Sequence, residues 1–262
     1  MNHSLINERN AMSFSLQQIK ATKNPESPPR TIVFGQHKIG KSTFASQAKA
    51  PIFIQTEDGL DDIQTKAFPL CKTWQDVMDC ITTLYQDKHD YKTVVLDSAD
   101  WAERLAHQAV CAEKSVKSIE EIGYGKGYAF AADLFKELLD GFSALRNDKG
   151  MAIVLLCHAE IRRFDDPQSD AYDRYQIKLG KLIGKMVQEW ADVIGFAQLD
   201  TITKIEKKKG FTDERTRAIT TGQRVLRLVG APAFDAGNRF GLPDSIPLVW
   251  SEYQAALDAA RK

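Results

Sequence analysis

The stretch Gly35-Gln36-His37-Lys38-Ile39-Gly40-Lys41-Ser42-Thr43 constrains the fold of this chain more than any other. It lies between a short β-branched and aromatic run, Thr31 to Phe34, and a segment of helical composition, Ser42 to Ala50. It therefore reads as the loop of a strand-loop-helix unit. Gly35 and Gly40 free the backbone to turn several N–H groups toward one anion, and the helix that follows adds its unsatisfied donors and the positive end of its dipole. Lys41 supplies a point charge for the outer oxygens of a polyphosphate, and the Ser42 hydroxyl is a ligand for a divalent cation. Such a unit belongs in a sheet whose strands end at ligand loops, which predicts an α/β core with a mostly parallel sheet covered by helices on both faces.

The remaining pattern agrees. Apolar runs at Ile52 to Gln55, Thr93 to Leu96, Met151 to Cys157 and Ala191 to Leu199 predict strands without a polar face, as a covered parallel sheet requires. Helices are predicted over 73–86, opened by the capping pair Thr73 and Asp76, and over 102–114, 128–146 and 176–190. The charged stretch Ile161 to Tyr175 reads as an irregular loop, and Thr201 to Val229 as a hairpin around Lys207-Lys208-Lys209-Gly210. Ser251 to Lys262 reads as a closing helix with a cap at Ser251. Residues 1–29 are a polar segment ending in Pro25, Pro28 and Pro29, so the core is expected over 30–262.

Composition excludes several functions. Thirty-five Lys+Arg balance thirty-five Asp+Glu, so attraction to nucleic acid has to come from a local surface. Cys71, Cys80, Cys111 and Cys157 lack the spacing of a zinc site and read as reduced core residues. No apolar run approaches the roughly 18 residues of a membrane span, and the N-terminus has no signal-peptide core. A cytoplasmic protein without membrane contact is the expectation.

A metal beside the phosphate loop needs a carboxylate at the end of a neighbouring strand, and Asp97 stands where the apolar run Thr93 to Leu96 stops. Hydrolysis also needs a group to align water. Glu57, Asp58, Asp61 and Asp62 follow the second strand and are equivalent by spacing alone. Asp100 reads as a cap for the helix from Ala102 onward.

The segments GQHKIGKST, TVVLDS, FIQTEDGLD and Ile153 to His158 together resemble the RecA-type P-loop ATPases, over roughly residues 30–250. The resemblance implies ATP as substrate, Mg²⁺ at Ser42 and Asp97, Glu57 as the water-activating glutamate, and His158 as the γ-phosphate sensor where RecA has glutamine. More narrowly, His158-Ala-Glu-Ile-Arg162 and Asn238-Arg-Phe-Gly-Leu-Pro243 resemble phage-encoded RecA-like proteins of the Sak single-strand-annealing class. That resemblance implies binding of single-stranded DNA, annealing or homologous pairing, self-association into a filament or ring, and a single-strand-binding protein as a further partner. It also implies Arg239 as an arginine finger in trans, although Gly237 stands where the family has lysine. The alternative is a DnaB-like translocase or helicase loader.

Two local surfaces are candidates for the DNA. Arg162 and Arg163 lie with aromatic residues in the stretch after the sensor strand, and the separate Gly123 to Tyr128 loop offers flexible backbone and donors. Residues 201–230 hold eight basic side chains, among them Lys207, Lys208 and Lys209, against three acidic ones, a net of plus five.

Overall fold

The computed structural model describes Ile19 and residues 27–167, 170–207 and 214–262, with the backbone alone over 201–207 and 214–220. Strands β1 (Arg30–Gly35), β2 (Pro51–Gln55), β3 (Thr93–Asp97), β4 (Ala152–Phe164) and β6 (Val193–Lys207) form a parallel sheet in the order β2-β3-β4-β1-β6. β1, which feeds the phosphate loop, and β3, which ends at Asp97, are thus separated by β4. All five strands run the same way, so Gly35, Gln55, Asp97 and His158 come to one edge of the sheet.

Alternate residues of these apolar strands serve opposite faces. On one face Ile32, Ile54, Leu96 and Leu155 pack under α2 (Trp74–Gln86), α3 (Ala99–Lys114), α4 (Lys126–Lys149) and α5 (Lys181–Trp190). On the other, Val33, Phe53, Val95 and Val154 meet Phe44 of α1 (Lys41–Ser46) and Trp250, Tyr253 and Leu257 of α6 (Trp250–Arg261). Both faces are dry, as the uniform hydrophobicity of the strands demands. The expected mixed fold of helices over a mostly parallel sheet is what the chain forms. Among the described residues no helix is long and apolar enough to cross a membrane.

The start of α2 follows its sequence signal: Thr73 accepts from the Asp76 N–H at 3.2 Å and Asp76 Oδ2 accepts from the Thr73 N–H at 2.9 Å. Three other expectations are corrected. The stretch after His158 is no irregular loop: β4 continues to Phe164 and turns into the antiparallel β5 (Tyr172–Ile177). Cross-strand contacts hold this ribbon, with Phe164 and Tyr172 rings 5.6 Å apart and the Arg174 guanidinium 5.1 Å from the Phe164 ring. In consequence α5 begins at Lys181 rather than at Gln176. Ser251 does not cap α6 but lies within it; the Trp250 N–H at its start is met instead by Gln47 Oε1 at 3.1 Å.

β6 and β7 (Glu214–Arg227) form the expected long antiparallel hairpin, with Lys207 opposite Glu214 at its far end. Lys208 and Lys209 lie outside the described residues. Short strands β8 (Gly237–Asn238) and β9 (Ser245–Pro247) complete the sheet beside β6 and β7.

Candidate nucleotide and hydrolysis site

The phosphate loop leaves β1 under tight constraint. A Cβ on Gly35 would sit 2.4 Å from the Ala197 carbonyl oxygen of β6, so only glycine lets β1 pass this point. Gly40 has φ of 105° and immediately precedes α1, and a Cβ there would come 3.1 Å from the Arg224 guanidinium. Between them Gln36, His37 and Lys38 are exposed and Ile39 is buried as the loop's anchor in the α1-side core. Gln36 donates from Nε2 to the Tyr175 hydroxyl at 3.3 Å, which ties the loop to β5. Thr43, exposed, follows Ser42 into α1.

Lys41 is buried and its Nζ donates to the carbonyls of Gly35 at 3.2 Å and Gln36 at 3.0 Å. Burial pulls its pKa below the usual lysine range, only partly opposed by Asp97 and Asp100. Ser42 Oγ donates to Asp97 Oδ2 at 2.6 Å, which joins the start of α1 to the end of β3. Burial pushes the Asp97 carboxyl up, and Ser42 and Lys41 offset this only in part. Two hard oxygen donors, one on a buried carboxylate that makes no ion pair among the described residues, are the kind of donor set that Mg²⁺ takes. Ser42 and Asp97 therefore fit the metal.

Glu57 follows β2 by two residues. The Thr56 N–H donates to the Asp97 carbonyl at 2.8 Å and Thr56 Oγ1 donates to the Ser98 carbonyl at 2.7 Å, so the chain after β2 is pinned to the chain after β3. This separates Glu57 from its neighbours: its carboxylate is 28% exposed and accepts from Ser98 Oγ at 3.3 Å, whereas Asp58, Asp61 and Asp62 face solvent. Burial, with help from Asp97 and Asp100, raises the Glu57 pKa against the opposing effect of His158.

His158 is the last buried residue of the parallel part of β4, in register with Gly35, its Nε2 3.8 Å from Glu57 Oε1. On its other edge Nδ1 lies 2.9 Å from Asp100 Oδ2, and the His158 backbone N–H donates to Asp100 Oδ1 at 3.0 Å. Asp100 is therefore not the helix cap its position predicted. Its carboxylate points across the sheet edge, a long-range contact for which the local sequence carries no signal. The ligand atoms of Glu57, Asp100 and His158 all lie within 4.8 Å of one another, but both Asp100 oxygens are already committed to His158.

The structure thus gathers Lys41, Ser42, Glu57, Asp97 and His158 at one sheet edge. Arg239 is elsewhere: it lies where β1 and β6 begin, its backbone N–H on the Asp192 carbonyl at 3.0 Å and its guanidinium 3.5 Å from Asp192 Oδ1 and 2.8 Å from the Glu189 carbonyl. Of the DNA candidates, Arg162 is tied to Glu160 and to the Leu179 carbonyl, while Arg163 is exposed on the β4–β5 ribbon.

Comparison with known proteins agrees with this architecture. A family model described as an AAA domain matches residues 27–240. The chain is also similar to the SPbeta prophage-derived uncharacterized protein YorG of Bacillus subtilis (strain 168), with 22% identity over 133 residues. That match covers 48% of this chain and 40% of the relative, so less than half of the relative's length is represented. Residues 27–240 contain the phosphate loop, the Asp97 strand and the Glu57 and His158 positions, and the chain belongs to the AAA domain family of P-loop ATPases.

Proposed function

We propose that this protein hydrolyses ATP and couples the cycle to single-stranded DNA in a phage-type recombination setting. The observation that carries the hydrolytic reading is the convergence of Ser42–Asp97 and Glu57–His158 at the end of one sheet, each pair in contact or near contact. The phosphate loop would bind the polyphosphate through backbone N–H groups, and Lys41 would exchange its two carbonyl partners for phosphate oxygens. Mg²⁺ at Ser42 and Asp97 would neutralise charge on the phosphates. Glu57 is half-buried beside them and would orient the attacking water and take its proton, and His158 would register the γ-phosphate next to it.

The resemblance to the Sak class and the prophage origin of the similar protein support the DNA reading. The exposed Arg163 and the net charge of the β6–β7 hairpin supply the sequence-independent attraction to phosphate that annealing uses. Arg239 lies about 16 Å from the phosphate loop along β1, five rises of about 3.3 Å, so it would act on the site of a neighbouring subunit in a filament or ring. Arg239→Ala is expected to keep nucleotide binding and lose most hydrolysis under conditions of assembly; unchanged turnover would remove the finger. ATP turnover measured with and without single-stranded DNA at two salt concentrations tests the whole reading. Stimulation that weakens with salt is expected, and DNA-independent turnover would contradict the coupling.

A further inference from the structure

His158 is held from three sides. Asp100 occupies the backbone N–H and Nδ1, Glu57 faces Nε2, and the His37 ring of the phosphate loop lies against its face with centroids 4.1 Å apart. Asp100 is 4% exposed and stands in the first turn of α3, three residues after the metal-site carboxylate. Burial opposes its ionisation, but the hydrogen bonds and charge of His158 prevail and hold the carboxyl below the usual range. An ionised carboxylate only accepts, so the ring nitrogen in contact with it must carry a hydrogen.

We propose that Asp100 is a positioning residue of the hydrolytic site, which holds His158 with a hydrogen on Nδ1 and turns Nε2 toward Glu57. The inference rests on the hydrolytic reading above and explains how a histidine can serve where RecA-type proteins carry glutamine. A glutamine amide presents a donor of fixed identity. An imidazole does not, because the nitrogen that works is chosen by whatever engages the other one. With Nδ1 committed to Asp100, Nε2 is the atom left to face Glu57 and the reacting groups. Buried carboxylate–imidazole pairs in hydrolases are organised in this way. Asp100 hydrogen-bonds His158 and Ser98 and adds its charge to the field on Lys41 and Glu57, and the role proposed for it is the one that runs through His158.

Asp100→Asn tests this sharply because the geometry dictates what the amide does. Its oxygen is needed by the His158 backbone N–H, so its NH₂ group faces Nδ1 and drives the ring hydrogen to Nε2. The expected result is a fall in kcat of about 10²-fold, a KM changed less than twofold, an altered pH profile, and ¹⁵N resonances of His158 showing the hydrogen moved from Nδ1 to Nε2. Asp100→Glu should recover part of the rate. In a His158→Gln background, Asp100→Asn should cost far less than it does in the wild type. An equal loss in that background, or a wild-type spectrum with a bare Nδ1, would overturn the proposal. If the wild-type protein hydrolyses no ATP under any condition, the hydrolytic reading fails while the ¹⁵N spectrum still decides the orientation of His158.

Discussion

Two carboxylates at opposite ends of the same parallel sheet, Asp97 and Asp192, are almost equally buried, at 6% and 7% exposure, yet their environments push them in opposite directions. Asp192 precedes β6 and is met by Arg30 at the start of β1: Arg30 Nε donates to Oδ2 at 3.1 Å, NH2 donates to Oδ1 at 2.8 Å, and the Arg30 backbone N–H donates to Oδ2 at 3.0 Å. Burial opposes its ionisation, but this bidentate pairing wins and holds its carboxyl below the usual range. Among the described residues the Asp97 carboxylate has one side-chain hydrogen-bond partner, the Ser42 hydroxyl, while the Lys41 ammonium is spent on loop carbonyls. Its carboxyl is held above the usual range by burial. One end of the sheet is a finished ion pair that locks β1 to β6. The other end keeps a charge incompletely matched, which is how a site built for a cation and a phosphate differs from a structural contact.

The largest effect should come from Glu57→Gln, which removes the water-aligning carboxylate at the incomplete end. Hydrolysis is expected to fall by about 10²–10⁴-fold, with nucleotide affinity retained. Because burial raises the Glu57 pKa, the wild-type rate should fall on acidification at a pH above the ordinary carboxylate range, and this limb should be absent from the residual activity of the variant. Retained turnover in Glu57→Gln would assign the water to another group.

Asp192→Asn breaks the finished end. It should destabilise the fold by about 3 kcal/mol near neutral pH, measured by denaturant unfolding, and leave nucleotide affinity unchanged. A folded-state pKa below the unfolded value contributes stability above the unfolded pKa and loses it as pH falls through the folded one. The gap between variant and wild type should therefore close in acid. A loss of nucleotide binding in a folded Asp192→Asn protein would mean that the two ends are not separable.

Asp97→Asn should show the opposite sign and the smallest size. A folded-state carboxyl pKa above the unfolded value costs the wild type stability as pH rises from the unfolded pKa through the folded one. Without nucleotide the variant should be more stable than wild type at neutral pH by on the order of 1 kcal/mol, a difference that disappears below that window. A destabilised variant would show that Ser42 and Lys41 already satisfy Asp97.

The same contrast marks what could be read from sequence. β1, β2, β3 and the first half of β4 are apolar on both sides, and that property locates them without knowledge of their neighbours. Asp97 follows from the end of such a run, and the phosphate loop from its glycines. Glu57 could not be separated from Asp58, Asp61 and Asp62 by spacing, because the separation comes from Thr56 bonding to Asp97 and Ser98 some 40 residues away. Asp100 was illegible for the same reason: its partner is 58 residues distant on another strand. The second half of β4 was missed because its charged residues, Glu160 and Arg162 paired with each other and Arg163 exposed, belong to a two-stranded ribbon held by Phe164, Tyr172 and Arg174. Local composition there describes exposure and not pairing.

The central claim is that the incomplete end of the sheet is completed by a metal-bound triphosphate at Ser42 and Asp97. Titration of a fluorescent ATP analogue into wild-type and Asp97→Asn protein, each with and without Mg²⁺, tests it most directly. The account predicts that Mg²⁺ tightens binding to the wild type by about tenfold or more, the worth of one charge-assisted contact, and has little effect on the variant, whose metal-free affinity is retained. Equal Mg²⁺ enhancement in both proteins, or no binding by the wild type, would contradict it.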